Sequence, residues 1–206
     1  PGGYAWTFPA GERRYKAGVC WVDEFAAARG REGSIRDHVE RWLATDDRWG
    51  DGEVRSVHAG EGVWTDSITV RARDGVVAVG DAASSINPLF GEGIRPAMAS
   101  ASMAAAAAGP ALDDGDLSRG RLRPYEARWN DEYGGRWRLQ RVLSDLLYDF
   151  TPDQQDRFVR AVERLGADGA DRLQRYDLSV RDLLTLYPFE PRDLRKAPDL
   201  ARTLWP

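Results

Sequence analysis

Residues 80–94 read GDAASSINPLFGEGI. Gly80-Asp81 follows the apolar run Val76–Val79, and Gly91 and Gly93 precede an alanine-rich stretch. An aspartate at the end of a buried strand places a carboxylate where ligand hydroxyls, such as those of a sugar or sugar alcohol, can donate to it. Glycines ahead of a helix expose its first N–H groups, which with the positive end of the dipole stabilise negative charge on a ring or phosphate. The residues alone leave two readings open: a cradle for a ligand, or a tight turn into a closely packed helix. A single Gly-x-Gly does not separate them, and the third glycine of the dinucleotide fingerprint is missing.

Other residues carry less. Glu92 is placed either to handle protons or to sit solvated in its loop. Tyr4, Trp6 and Phe8 alternate on one strand, so they share a face, which is either core or the wall of an apolar cavity. Lys16 is expected away from that face. Arg95 and Arg136 are of a type that contacts anionic head groups, but surface arginines are common in this chain. His38 and His58 are the only histidines and Cys20 the only cysteine. No metal-ligand spacing, thiolate cluster or internal disulfide follows from them, and Cys20 reads as a buried, inert thiol. No catalytic residue is assigned.

The elements that position these residues are legible as patterns. Residues 3–9 and 15–22 alternate around a Gly/Pro turn and predict an antiparallel hairpin. Ser34 caps a helix over 34–44 with a stripe of Ile35, Val39, Trp42 and Leu43. Residues 53–58 and 67–72 read as short strands, and RDGVVAVGD as a turn entering a buried strand. A small-residue helix over 94–108 is expected to end at Gly109-Pro110, followed by a loop, ALDDGDLSRGR, with DDGD solvated. Residues 124–150 carry Tyr125, Trp129, Tyr133 and Trp137 at intervals of four, a row that reads as core, with Gly134-Gly135 set to kink or break the helix. Thr151-Pro152 starts a helix running to Leu165 and stopping at Gly166. Shorter helices are expected near Ser179 and Pro191. The fold class is α+β. The expected parts are residues 1–75, an antiparallel sheet with a flanking helix; 76–110, a strand–loop–helix; and 111–206, a helical tail.

The 206 residues are 42% apolar, enough for a core, and the formal charge of −4 argues against a nucleic-acid binder. Arginine supplies almost all positive charge, with lysine only at 16 and 196, and aspartate is twice as common as glutamate. That usage suits a GC-rich source. No apolar run is long enough to span a bilayer. The chain begins at Pro1 and enters a strand at once, which reads as part of a longer polypeptide.

The full string is more specific than its glycines. Gly-Asp-Ala-Ala, then Asn-Pro, then Gly-x-Gly-Ile and an alanine-rich helix resembles the second flavin motif of the glutathione-reductase/para-hydroxybenzoate-hydroxylase superfamily. With GYAWTFP and its return strand, NPLFGEGIRPAMAS and the Tyr/Trp-rich tail, the chain looks most like the geranylgeranyl reductase family. Two small residues depart from it: Ser84 stands where the family usually has glycine, and Ser100-Ala101 where it has Ser-Gly.

The resemblance implies a fragment of that fold, binding FAD. It gives Gly80 and Asp81 to the strand end that meets the flavin's ribityl or ribose hydroxyls, and Pro88, Gly91, Glu92, Gly93 and Ile94 to the segment along the isoalloxazine. Tyr4, Trp6 and Phe8 become the substrate wall. It further implies reduction of prenyl double bonds, a reduced electron donor (NAD(P)H or ferredoxin), and a cytoplasmic protein with contact at the membrane periphery. The strand–Gly-x-Gly-x-x-Gly–helix that holds the FAD pyrophosphate does not occur in the sequence. The alternatives are a flavin-dependent halogenase, whose motif has Trp and Ile where this chain has Tyr4 and Phe8, an aromatic hydroxylase, and a non-catalytic module that binds a partner or lipid and no flavin.

Overall fold

A computed structural model describes residues 3–28, 30, 33–45, 49, 52–62, 68, 70–175, 177–178, 182 and 185–186. The helices expected near Ser179 and Pro191 lie outside them. The chain divides into two compact units, residues 1–61 with 147–150, and residues 62–146 with 151–206.

In the first unit, β1 (Gly3–Pro9) and β2 (Tyr15–Trp21) form the expected hairpin. Its turn is closed by Ala10 N–H to Arg14 O at 2.8 Å, with Gly11 at φ 97°. Directly paired residues point to the same side of a sheet, so Cys20, Gly18 and Lys16 share the face of Tyr4, Trp6 and Phe8, their respective partners. Lys16 is thus on the face from which it was expected to be absent. A Cβ at Gly18 would stand 2.5 Å from Trp6 Cζ2, so the indole occupies the room that glycine leaves. Two helices follow, α1 (Asp23–Ala28) and α2 (Ile35–Ala44). Ser34 starts α2 with a capping box. Its hydroxyl accepts from Asp37 N–H, and its own N–H donates to Asp37 Oδ2 at 2.7 Å. His38 on α2 meets Trp21 edge-on at 5.1 Å. Residues 53–58 form no strand. They are exposed throughout and have no ladder partner, and the valines at 54 and 57 are 61% and 48% exposed.

In the second unit, β3 (Ala72–Arg73) and β4 (Val76–Val77) flank the Asp74-Gly75 turn as a two-residue pair. The strand expected from Val76 to Val79 is therefore short and not fully buried: Val76 is exposed, while Val77 and Val79 pack on the core. Gly80–Ala83 form a 3₁₀ turn in place of a strand end. Ser84 closes that turn at φ 49°, ψ 44°, a left-handed conformation that glycine adopts without strain.

The small-residue helix α3 (Ile94–Asp113) runs through Gly109-Pro110 instead of stopping there. A proline removes one N–H and crowds the preceding turn, a cost that tertiary packing can override, and Ala111 just beyond it is fully buried. The helix ends in a Schellman motif: Gly115 N–H bonds Leu112 O, and Asp116 N–H bonds Ala111 O. DDGD is therefore a helix stop, and the stretch expected as loop holds α4 (Arg119–Leu122).

Next come α5 (Pro124–Trp129), a π turn over Asn130–Gly134, α6 (Gly135–Tyr148) and α7 (Pro152–Gln174). A spacing of four outruns the 3.6-residue turn, so four such positions drift around an α-helix. The wider π turn takes up that drift. It stands where Gly134-Gly135 predicted a kink. Tyr125, Trp129 and Trp137 are each 1% exposed and pack with Met103 and Ala104, and Tyr133 stacks on Trp129 at 4.4 Å. Thr151 caps α7 through a capping box with Gln154, and Gly166 (φ 67°) interrupts it where the stop was expected, with a further helical stretch beyond.

Candidate flavin-facing cleft

The loop between β4 and α3 folds around Asn87. Its Oδ1 accepts from Leu89 N–H at 2.9 Å and Phe90 N–H at 2.8 Å. Its backbone N–H donates to Glu92 O at 2.8 Å and its carbonyl accepts from Gly91 N–H at 2.9 Å. One buried residue thus organises the loop through two side-chain and two backbone hydrogen bonds. Asn87 Nδ2 also donates to Gln140 Oε1 on α6, and Trp137 Nε1 on the same helix donates to Ile86 O at 3.0 Å.

The near end of the loop is held as firmly. Gly80 N–H donates to Ser100 Oγ at 2.9 Å, and Ser100 in turn donates to Ala97 O. Gly80 has φ 58°, and a Cβ there would approach Ala97 Cβ to 3.3 Å, so both backbone and packing call for glycine. Ser85 N–H donates to Gly80 O, and Ser85 Oγ accepts from Arg71 Nη1 at 2.8 Å. Tyr125 donates to Ala78 O at 2.8 Å, and Glu126 Oε1 accepts both Arg71 N–H and Ala72 N–H. The helices after residue 124 therefore position a loop some fifty residues earlier.

The held loop borders a cleft of about 420 Å³, lined by Asp81, Ile86, Gly91, Gly93, Ile94 and Ala97. Asp81 is exposed and supplies its carboxylate. A Cβ on Gly93 would stand 3.0 Å from Asp81 Oδ1, so the carboxylate and the bare backbone face one another. Gly91 sits at φ 67°. Ile94 is 76% exposed, an apolar side chain held at the cleft.

Of the seven expected residues here, Asp81, Gly91, Gly93 and Ile94 line the cleft together. Gly80 and Pro88 are buried in the loop's support. Glu92 acts on the helix: its Oε1 accepts from Arg95 N–H at 2.7 Å and its Oε2 lies 3.5 Å from Arg95 Nε. Tyr4, Trp6 and Phe8 lie in the other unit. Tyr4 and Phe8 are 44% and 58% exposed, and Tyr4 and Trp6 meet at 5.8 Å. Cys20, expected buried, is half-buried. Burial, then the Cys20 thiol across the strand, pushes the Tyr4 hydroxyl up to about 12. Among the described residues no group of three or more His, Cys, Asp or Glu could hold a metal ion.

Sequence reading gave no structural role to Arg71, Ser85, Asn87, Ser100, Glu126 or Gln140. Each is a polar residue buried to 5% exposure or less. A buried polar side chain is paired or costly, but its partners lie up to fifty-five residues away, beyond what local pattern can show.

The cleft combines one carboxylate able to accept from hydroxyls, glycine backbone where a side chain would intrude, and apolar Ile86, Ile94 and Ala97.

No family model matches the chain. It is 30% identical over 176 residues to the digeranylgeranylglycerophospholipid reductase of Haloferax volcanii, covering 83% of this chain and 43% of the relative. To digeranylgeranylglycerophospholipid reductase 1 of Methanopyrus kandleri it is 31% identical, covering 80% of the chain and 43% of the relative. A solved structure described as geranylgeranyl bacteriochlorophyll reductase-like, from Thermoplasma acidophilum, superposes with a TM-score of 0.73 at 21% identity. That match covers 97% of this chain and 48% of the other, and shows a shared fold. The chain thus spans less than half the length of the curated relatives it matches. Over that span the chain belongs to the geranylgeranyl reductase family.

Proposed function

We propose that this chain is the C-terminal part of an FAD-dependent oxidoreductase that saturates double bonds of prenyl chains, and that it supplies the ring side of the flavin site. The observation that carries this reading is the Asp81 carboxylate set directly beside the side-chain-free backbone of Gly93 in the lining of one cleft. The names of the relatives support the substrate class.

FAD, when bound, supplies the hydride chemistry. The chain's own residues bind and orient. Asp81 accepts from ribityl or ribose hydroxyls. Gly91 and Gly93 let the backbone approach the ring, and Ile86 and Ile94 keep water from its face. In the first turn of α3 the Arg95 N–H is taken by Glu92 and Pro96 has none, which leaves the Ile94 N–H to offer to negative charge. Tyr4, Trp6 and Phe8 give an apolar strand face suited to a hydrocarbon, and Lys16 at its end suits an anionic head group. A reduced donor, NAD(P)H or ferredoxin, recharges the flavin. No helix among the described residues is long and apolar enough to cross a membrane. A prenyl-lipid substrate would bring the enzyme to the membrane periphery, and we propose that it does so from the cytoplasm.

The test is product mass. The full-length protein, given reduced flavin and a prenyl phospholipid, should add two hydrogens per double bond. Gain of an oxygen or a halogen on an aromatic substrate, with the lipid untouched, would overturn the reading in favour of a hydroxylase or halogenase.

A further inference from the structure

The guanidinium of Arg71 is buried, with the residue only 1% exposed. Its Nη1 donates to Ser85 Oγ and its Cζ lies 4.1 Å from the centre of the Trp129 ring, while Nε and Nη2 are buried without a hydrogen-bond partner. Burial lowers its pKa, countered by the Tyr125 hydroxyl and by Glu126. A guanidinium stays protonated through such shifts at neutral pH. The carboxylate beside it is already engaged: Glu126 Oε1 accepts two backbone N–H groups, and Oε2 lies 3.5 Å from Arg119. A buried cation held by the Ser85 hydroxyl, the Trp129 face, the nearby Tyr125 hydroxyl and a carboxylate already engaged elsewhere is costly, so packing alone explains it poorly.

Its position gives it another. Ser85, its partner, precedes Ile86 of the cleft lining and donates to Gly80 O. At the cleft itself Asp81 brings negative charge, and the helix terminus that would oppose it is partly used by Glu92. Arg71 supplies positive charge from behind the loop; Glu126 beside it offsets part of that charge but is shared with two backbone N–H groups and Arg119, and the remainder acts through a low-dielectric interior. We infer that Arg71 is a positioning residue whose buried charge biases the cleft toward the anionic form of its occupant, so that reduced flavin is held more tightly than oxidised flavin. This rests on the flavin reading above.

The experiment measures oxidised and reduced FAD affinity of the full-length protein by anaerobic titration, for wild type, Arg71→Gln and Arg71→Lys. Arg71→Gln keeps a donor for Ser85 and removes the charge. It should bind oxidised FAD within about threefold of wild type and reduced FAD about tenfold more weakly, a potential shift of about −30 mV for two electrons. Arg71→Lys keeps the charge and should restore most of the difference. Equal weakening of both flavin states by Arg71→Gln, or equal behaviour of the two variants, overturns the inference and leaves Arg71 a loop support. If Arg71→Gln does not fold, Arg71→Lys beside Ser85→Ala decides: both should keep the wild-type ratio, and a ratio that falls with Ser85→Ala overturns it. Wild-type protein that takes up no FAD removes the flavin reading itself.

Discussion

Trp6 lies over Gly18, its cross-strand partner, so closely that a methyl group at 18 would stand 2.5 Å from the indole. Gly18→Ala must push the ring off its seat, and overpacking of this kind costs about 1–3 kcal/mol. Urea unfolding followed by tryptophan fluorescence should show that loss. An unchanged midpoint would mean that Trp6 is free to swing away and that no fixed wall exists on this face.

Asn87 ties the loop to α6. Asn87→Ala removes the hydrogen bonds that the Leu89 and Phe90 N–H groups and Gln140 Oε1 make to its side chain, at about 1–3 kcal/mol for disrupting a buried polar network. A double-mutant cycle with Gln140→Ala should be non-additive, since the two residues share a hydrogen bond. Additive effects on the denaturation midpoint would remove the loop's anchoring to the helical region.

Ser84 holds a left-handed conformation. Ser84→Gly should therefore be neutral or stabilising by up to about 1 kcal/mol, the scale of relieved backbone strain. A drop beyond that in the melting temperature would show that the Ser84 side chain matters more than its backbone.

Tyr4 makes stability depend on alkaline pH. Its folded-state pKa of about 12 stands above the ordinary 10.0, raised by burial and then by Cys20. The fold favours the protonated phenol, so the contribution is complete below pH 10 and is lost between pH 10 and 12. Burial, with Cys20 and Tyr4 nearby, also raises Tyr148. Tyr4→Phe should flatten the decline in unfolding free energy across that window. An equal slope in wild type and variant would contradict the cluster.

What was legible in the sequence was what local chemistry decides. The hairpin followed from alternation, and α2 and α7 from the Ser34 and Thr151 caps, because each rests on residues within one or two turns. Pro110 misled because burial of Ala111 outweighs a local breaker. Residues 53–58 misled because a valine pattern makes a strand only beside a partner. The aromatic row was legible as core, but its geometry required the π turn. At the cleft, Asp81, Gly91, Gly93 and Ile94 were readable from their string. The network of Arg71, Asn87, Glu126 and Gln140 that holds them was not, since it forms only when α5 and α6 fold back on the loop.

Asp81 is the polar group of the cleft, and removing it should leave the loop intact. In the full-length protein Asp81→Ala should weaken FAD binding by about 1.5–3 kcal/mol, the scale of a charge-assisted hydrogen bond. Isothermal titration against the refolded flavin-free protein measures it. Unchanged affinity would assign Asp81 to the turn alone.

The most direct test of the flavin cleft is Gly93→Val, with flavin content read beside the melting temperature of the flavin-free protein. A branched side chain at 93 would crowd the Asp81 carboxylate and intrude on the cleft that both residues line, where the ring side of FAD would lie. The account predicts a variant that melts within a few degrees of wild type and retains little or no FAD after desalting. A variant that holds stoichiometric FAD, or one that fails to fold at all, would contradict it: the glycine would then serve close packing, and the cleft would not be the flavin's.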